Sequence, residues 1–319
     1  MRIIPASDIA QVLTFPDLIE TLRRGFRSGA VTPVRHHHTI ELPDQADATL
    51  LLMPSWNDFA GQGHSDRGYV GVKVATVFPG NAAHGRPAVA GVYLLFSGRR
   101  GEPLAVIDGS ALTLWRTAAA SALAASYLAR SDASRMLMVG SGALAPYLIE
   151  AHAAIRPISD VLVWNRRHDK AVRLAQRLKG RRYSAAATED LEGAVRGADI
   201  VSCATLSGEP LIHGEWLKPG AHLDLVGGFR PDMREADDEA MRRSRIFVDT
   251  REGATQEAGD IVQPLQSGLI AEEDIAADLF DLTRGERAGR RFYDQITLFK
   301  SVGTALEDLA AAILVFSRA

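Results

Sequence analysis

Short apolar runs alternate with helical patterns through the middle of the chain. Residues 135–139, 160–164, 198–203, 222–226 and 245–249 each form an apolar stretch of strand length. Between them, residues 143–155, 168–179, 188–196 and 234–242 carry helical patterns. Parallel strands need crossover connections of this kind, so the alternation predicts a parallel sheet. Right-handed crossovers then give an open α/β sheet, doubly wound in the Rossmann manner.

The first part of the chain is patterned differently. Ile9, Val12, Leu13, Leu18, Leu22 and Phe26 mark a helix over 8–29. After it, residues 36–42, 49–54, 69–78 and 89–97 are β-rich, with turn clusters at Pro79-Gly80-Asn81 and 98–103. This predicts an α+β domain with hairpin-like turns. An alanine-rich helix over 109–129 links it to the parallel sheet. A last helix over 302–317, apolar at Leu306, Leu309, Ile313 and Phe316, is expected to return to the first domain. The expected division is 1–115 with 300–319, for substrate binding and dimerisation, and 116–299, for a dinucleotide.

Composition narrows the class. A chain of 319 residues has room for about two domains. Its formal charge of −3, from 36 basic and 39 acidic residues, lacks the basic excess of a dedicated nucleic-acid binder. The single cysteine, Cys203, permits no intrachain disulfide and no cysteine-based zinc cluster; it reads as a small core residue. Pro5 and Asp8 interrupt the first residues before an apolar run builds, so no signal peptide is expected. No run approaches the ~18 apolar residues of a transmembrane helix. A cytoplasmic enzyme is the expectation.

The strongest local motif is Gly140-Ser141-Gly142-Ala143-Leu144-Ala145, a G-x-G-x-x-A pattern after a strand and before a helix. Gly140 permits the tight turn, Gly142 lets the backbone approach a pyrophosphate, and Ala145 lets the helix pack closely. The alternative is a plain glycine-rich turn. Pro146 removes one N–H and fits only near the helix start. At the end of the second strand, where an NAD site carries an acid for the ribose 2′-OH, the chain reads Trp164-Asn165-Arg166-Arg167. Two guanidinium groups suit a 2′-phosphate, which favours NADP(H), with NAD(H) possible. The alternative is a solvated basic turn.

Lys73 lies in an apolar strand pattern, Arg116 in the apolar linker helix, and Arg35 just past Pro33. Three cations in mostly apolar surroundings suit a small carboxylate substrate. Taken singly, each is more often a surface or ion-pair residue, with Asp108 a candidate partner. His36, His37 and His38 alternate faces on a strand and cannot converge on one ion, so no metal site is expected.

Many spaced segments together resemble the ornithine cyclodeaminase/μ-crystallin family over nearly the whole chain. They are Gly71-Val-Lys73, Phe78-Pro-Gly-Asn81 with Gly85-Arg-Pro87, Asp108 through Arg116 to Ala119, the loop at 140–145, 198–205, 222–235, Glu257-Ala-Gly-Asp260 and 296–303. The family includes ornithine cyclodeaminases, alanine dehydrogenases, cyclic ketimine reductases and NADPH-binding μ-crystallins. The resemblance implies that Arg35, Lys73 and Arg116 hold the substrate carboxylate and polarise its imine, with Val302 and Gly303 lining the same pocket. It implies cofactor contacts at Gly140, Ser141, Gly142, Ala143, Leu144, Asn165, Arg166, Arg167, Ala204, Thr205, Val226, Gly227 and Phe229, and a homodimer. Cyclodeaminases carry an aspartate just after the Val-Gly-Gly strand end, and Phe229 stands there in this chain. Phe can neither accept a proton nor pair with an ammonium group. The resemblance therefore points to the ketimine-reductase branch, with NADPH delivering hydride to the C=N carbon of a small cyclic imino acid. A cyclodeaminase and a crystallin-like ligand binder are the alternatives.

Overall fold

The computed structural model describes all residues except 44, 58–67, 85 and 87, and the side chains of 82–84 are likewise not described. Gly85 and Pro87 of the family-like segment thus lie outside the described residues. The chain divides into two compact units, Met1–Thr117 with Thr304–Ala319 and Ala118–Gly303.

The first unit opens with β1 (Arg2–Ile4), α1 (Ala6–Val12) and α2 (Phe15–Ser28). The hydrophobic pattern predicts one helix here; the structure has two. Thr14 is extended and its side chain accepts from Asp17 N, so it caps a second helix with Pro16 in the first turn. Then follow β2 (His36–Ile40), β3 (Ala48–Trp56), β4 (Tyr69–Val77), β5 (Val89–Ser97) and β6 (Pro103–Asp108). They form a six-stranded sheet of order β1-β6-β5-β4-β3-β2, antiparallel except for β1 on β6. Alternation along β4 buries Gly71, Lys73 and Ala75 on one face. β2 is an exposed edge strand; His36 and His38 share a face, their ring centroids 6.3 Å apart. α3 (Gly109–Leu128) leads out of this unit. Asp108 Oδ1 accepts Ala111 N at 2.8 Å in its first turn.

The second unit runs β7 (Arg135–Val139), α4 (Ala145–Ile155), β8 (Asp160–Trp164), α5 (His168–Arg177), β9 (Ser184–Ala187), α6 (Leu191–Gly197), β10 (Ile200–Cys203) and β11 (His222–Leu225). It continues with α7 (Asp238–Arg243), β12 (Ser244–Val248), α8 (Arg251–Glu257), α9 (Gly259–Gln266), β13 (Ile275–Ala277), α10 (Leu279–Arg284) and β14 (Ile296–Lys300). The sheet has the order β13-β12-β14-β11-β10-β7-β8-β9, and every pair is parallel. β10, β11 and β14 are buried throughout, as strands of a parallel sheet covered on both faces are. The chain goes from β7 to β8 on one side and comes back to β10 on the other, which puts the topological switch point between β7 and β10.

The last helix, α11 (Ala305–Arg318), belongs to the first unit and packs on α2, β3 and β4. Thr304 caps it. Among the described residues no helix is long and apolar enough to cross a membrane.

Candidate functional site

In the first unit Lys73, Arg116, Glu307 and Asp308 form one buried cluster. Lys73 comes from the inner face of β4 and Arg116 from α3, while the two carboxylates stand in the first turn of α11. That is the end of a helix where negative charge is favoured. Lys73 Nζ is 2.7 Å from Asp308 Oδ2. Arg116 Nε donates to Asp308 Oδ1 at 3.1 Å, and Arg116 Nη1 to Glu307 Oε2 at 2.7 Å. These bonds occupy Arg116 Nε and Nη1.

Burial weighs on all these charges. It works against the Asp308 carboxylate, but Arg116 and Lys73 outweigh it and hold its pKa below the usual range. Burial also works against the Arg116 guanidinium, and Asp308 and Glu307 more than restore it. Lys73 fares otherwise. Burial pulls its pKa down, Asp308 pushes it back up and the charges of Arg116 and Arg35 oppose Asp308, for a net value of about 8. The two partners differ because Asp308 has two cations to itself, whereas Lys73 shares one carboxylate with a competing cation. Arg35 is thereby tied electrostatically to the cluster. Tyr93, opposite Lys73 in the β4–β5 register, has a buried hydroxyl with no hydrogen-bond partner among the described residues.

Lys73 and Arg116 are neutralised by Glu307 and Asp308, which the sequence reading missed, and Asp108 caps α3 instead of pairing with them. The missing signal was a Glu-Asp pair two residues inside an otherwise apolar helix.

In the second unit a cavity of about 330 Å³ opens at the switch point. Gly140, Ser141, Gly142, Asn165, Arg166, Arg167, Ala204 and Thr205, all among the residues for which the resemblance implies cofactor contacts, line it. Trp164, Lys170, Leu206, Ser207 and Leu211 line it as well. Ala143, Leu144, Val226, Gly227 and Phe229 are not among its lining residues. Gly140 has φ +108°, and a Cβ there would come within 2.6 Å of the Ala204 carbonyl oxygen, so only glycine fits. A Cβ on Gly142 would meet nothing within 4 Å, leaving that backbone open to a ligand. Asn165 Nδ2 donates to Ser141 Oγ at 2.8 Å and joins the ends of the two loops. Pro146 lies in the first turn of α4, where its missing N–H costs no helical bond. The lining contains Arg166, Arg167 and Lys170 and no carboxylate. A glycine turn, a helix N-terminus and three cations fit a dinucleotide phosphate.

Val302 and Gly303 also fall in the second unit. Their N–H groups donate to Asp249 Oδ2 at 2.7 and 2.6 Å, and Ser301 Oγ donates to the same oxygen at 3.1 Å. Phe229 is 42% exposed.

The family model described as "Ornithine cyclodeaminase/mu-crystallin family" matches residues 2–319. The chain belongs to this family. It is 45% identical to an uncharacterised protein of Schizosaccharomyces pombe, over 94% of this chain and 92% of that one. It is 40% identical to the Δ1-pyrroline-2-carboxylate reductase of Paracoccus denitrificans, over 96% of each chain. Among solved structures, the Thermococcus litoralis Δ1-pyrroline-2-carboxylate reductase, in complex with NADH and L-proline, matches with a TM-score of 0.91. The identity is 32%, with 100% of this chain and 97% of that chain covered. This family membership agrees with the mixed α/β architecture and the Rossmann-type parallel sheet of the second unit.

Proposed function

We propose that this protein is an NADPH-dependent reductase of small cyclic imino acids such as Δ1-pyrroline-2-carboxylate, acting in the cytoplasm as a homodimer. The observation that carries this reading is the buried pairing of Lys73 and Arg116 on one carboxylate, Asp308. The named relatives support the same reaction class. The carboxylate-free, three-cation lining of the second unit's cavity supports a cofactor with a 2′-phosphate.

A bound reduced nicotinamide supplies the hydride for the C=N carbon. Arg116 holds the substrate carboxylate through Nη2, with Nε and Nη1 already fixed by Asp308 and Glu307. That prior fixing lowers the ordering cost of binding. Lys73 gives a proton to the imine nitrogen as the carbon takes hydride, so C=N becomes CH–NH. With a pKa of about 8, its ammonium is populated at neutral pH and is a stronger acid than an ordinary lysine. Arg35 adds positive potential beside it.

The test is a cofactor-oxidation assay with NADPH and five- and six-membered cyclic imino acids, with ornithine plus NAD run alongside for ammonia release. Oxidation with the imino acids and no ammonia is expected. Ammonia without imine reduction would make the protein a cyclodeaminase. Tight NADPH binding with no turnover would make it a ligand binder.

A further inference from the structure

The second unit contains a buried charged cluster that the proposed chemistry does not use. Glu235, Asp260 and Lys300 have no exposed surface. Lys300 ends β14, next to Leu225 at the end of β11. Its Nζ is 3.0 Å from Asp260 Oδ2, and beyond this contact neither atom has a hydrogen-bond partner among the described residues. Asp260 Oδ1 accepts the N–H groups of Glu235 at 2.8 Å and Ala236 at 3.1 Å. The Glu235 carboxylate then reaches two loops. Oε1 accepts Thr205 N at 2.7 Å and Thr205 Oγ1 at 2.8 Å, and Oε2 accepts Gly227 N at 2.8 Å. The loops approach closely there: a Cβ on Gly227 would lie 2.0 Å from the Thr205 carbonyl oxygen.

Such a cluster is a poor way to gain stability. It buries two carboxylates with one lysine, and well-packed apolar residues commonly do as well or better than buried ion pairs. Burial pushes the Glu235 pKa up while Lys300 opposes it. What the cluster does supply is geometry. A carboxylate bonded on both oxygens sets the spacing of the loop after β10 against the loop after β11. Thr205 of the first loop lines the cavity. The adenosine end of a dinucleotide belongs at the β7–β8 side of a switch point, where Ser141, Asn165 and Arg166 stand, so the other half extends toward β10.

We propose that Glu235, held by Asp260 and Lys300, is a positioning residue that preforms the Thr205 side of the cavity for the nicotinamide-ribose half of the cofactor. This rests on the reading that a nicotinamide dinucleotide binds in the cavity. Glu235→Gln keeps the side chain's size but turns one acceptor into a donor. An N–H of Thr205 or Gly227 then faces another donor, and one loop is released.

Calorimetric titration of NADPH and of 2′,5′-ADP, which carries only the adenosine end, reads the effect. E235Q is expected to weaken NADPH at least tenfold and to leave 2′,5′-ADP within twofold. Equal loss of both ligands, or loss of neither, overturns the inference and leaves the function reading standing. Absence of NADPH binding by the unaltered protein overturns the function reading and this inference with it. Hydrogen exchange on the unaltered, cofactor-free protein needs no variant to fold. The Thr205 and Gly227 amides are expected to be protected like those of β10, and exchange at open-loop rates overturns the preformed clamp.

Discussion

Asp308 places a carboxylate oxygen 2.7 Å from the ammonium of Lys73, with both side chains buried in the first unit. Burial draws the Lys73 pKa down and Asp308 keeps it from falling further, for a net value of about 8. The ammonium is the acid in the proposed reaction, so kcat/KM is expected to fall as pH rises through about 8. Asp308→Asn removes the charge that favours the ammonium, so the falling limb should move to lower pH and the neutral-pH rate should drop. Pre-steady-state or steady-state pH profiles of the two proteins check this. An alkaline limb unmoved by the substitution would show that Lys73 is not the titrating acid.

Lys73 and Arg116 should separate in kinetics. Lys73→Met removes the proton donor and should lower kcat by about 10²-fold or more. Arg116→Ala is a poor probe, because Glu307 and Asp308 would lose a buried partner, at a cost of about 3–5 kcal/mol. Arg116→Lys keeps the charge and loses the fork. It should raise KM for the imino acid on the order of tenfold or more, with kcat less affected, since the lost contact serves ground and transition states alike. Thermal melts accompany the kinetics: a Lys variant that unfolds as readily as the Ala variant would mean that Arg116 only supports the fold.

The parallel sheet was legible because its strands are continuous apolar runs; β7 and β8 have the bounds that the pattern predicts. β9 was not, since Ser-Ala-Ala-Ala has no β-branched or aromatic residue and forms a strand only by pairing with β8. The helix expected over 234–242 starts only at Asp238, because the Glu235 and Ala236 amides bond to Asp260 instead. In the site, cations on apolar elements were visible in the sequence, but their partners were not. Glu307 and Asp308 look like ordinary acids favouring a helix start, and only the packing of α11 on β4 buries them over Lys73. Glycine and arginine positions around the cavity are local in sequence, so they could be read. The Glu235 bridge joins residues that no local pattern connects.

Cofactor choice should follow the cavity's charge. Arg166, Arg167 and Lys170 line it without a carboxylate, so NADPH should bind more tightly than NADH. Arg166→Ala should weaken NADPH by about 10–100-fold, the worth of a lost charge-assisted hydrogen bond or two, and change NADH little. Fluorescence titration of both cofactors measures it. Equal affinities in the unaltered protein would remove the basis for a 2′-phosphate site.

Ornithine should not be cyclised at ordinary enzyme turnover, about 1–10³ per second. The resemblance to the family implies an aspartate in cyclodeaminases at the position of Phe229, and an aromatic ring cannot take the substrate amine's proton. Phe229 is 42% exposed and not enclosed in an apolar pocket, so the carboxylate of Phe229→Asp would be solvated and ionised at neutral pH. Loss of one partly exposed ring should leave the melting temperature nearly unchanged. Any ammonia released from ornithine by the variant would then report the chemistry of a charged side chain at 229, uncomplicated by unfolding. An ammonia assay with ornithine and NAD on both proteins decides the matter: rapid release by the unaltered protein would refute the assignment to the reductase branch, and its absence there together with slow release by the variant would locate the branch point at this residue.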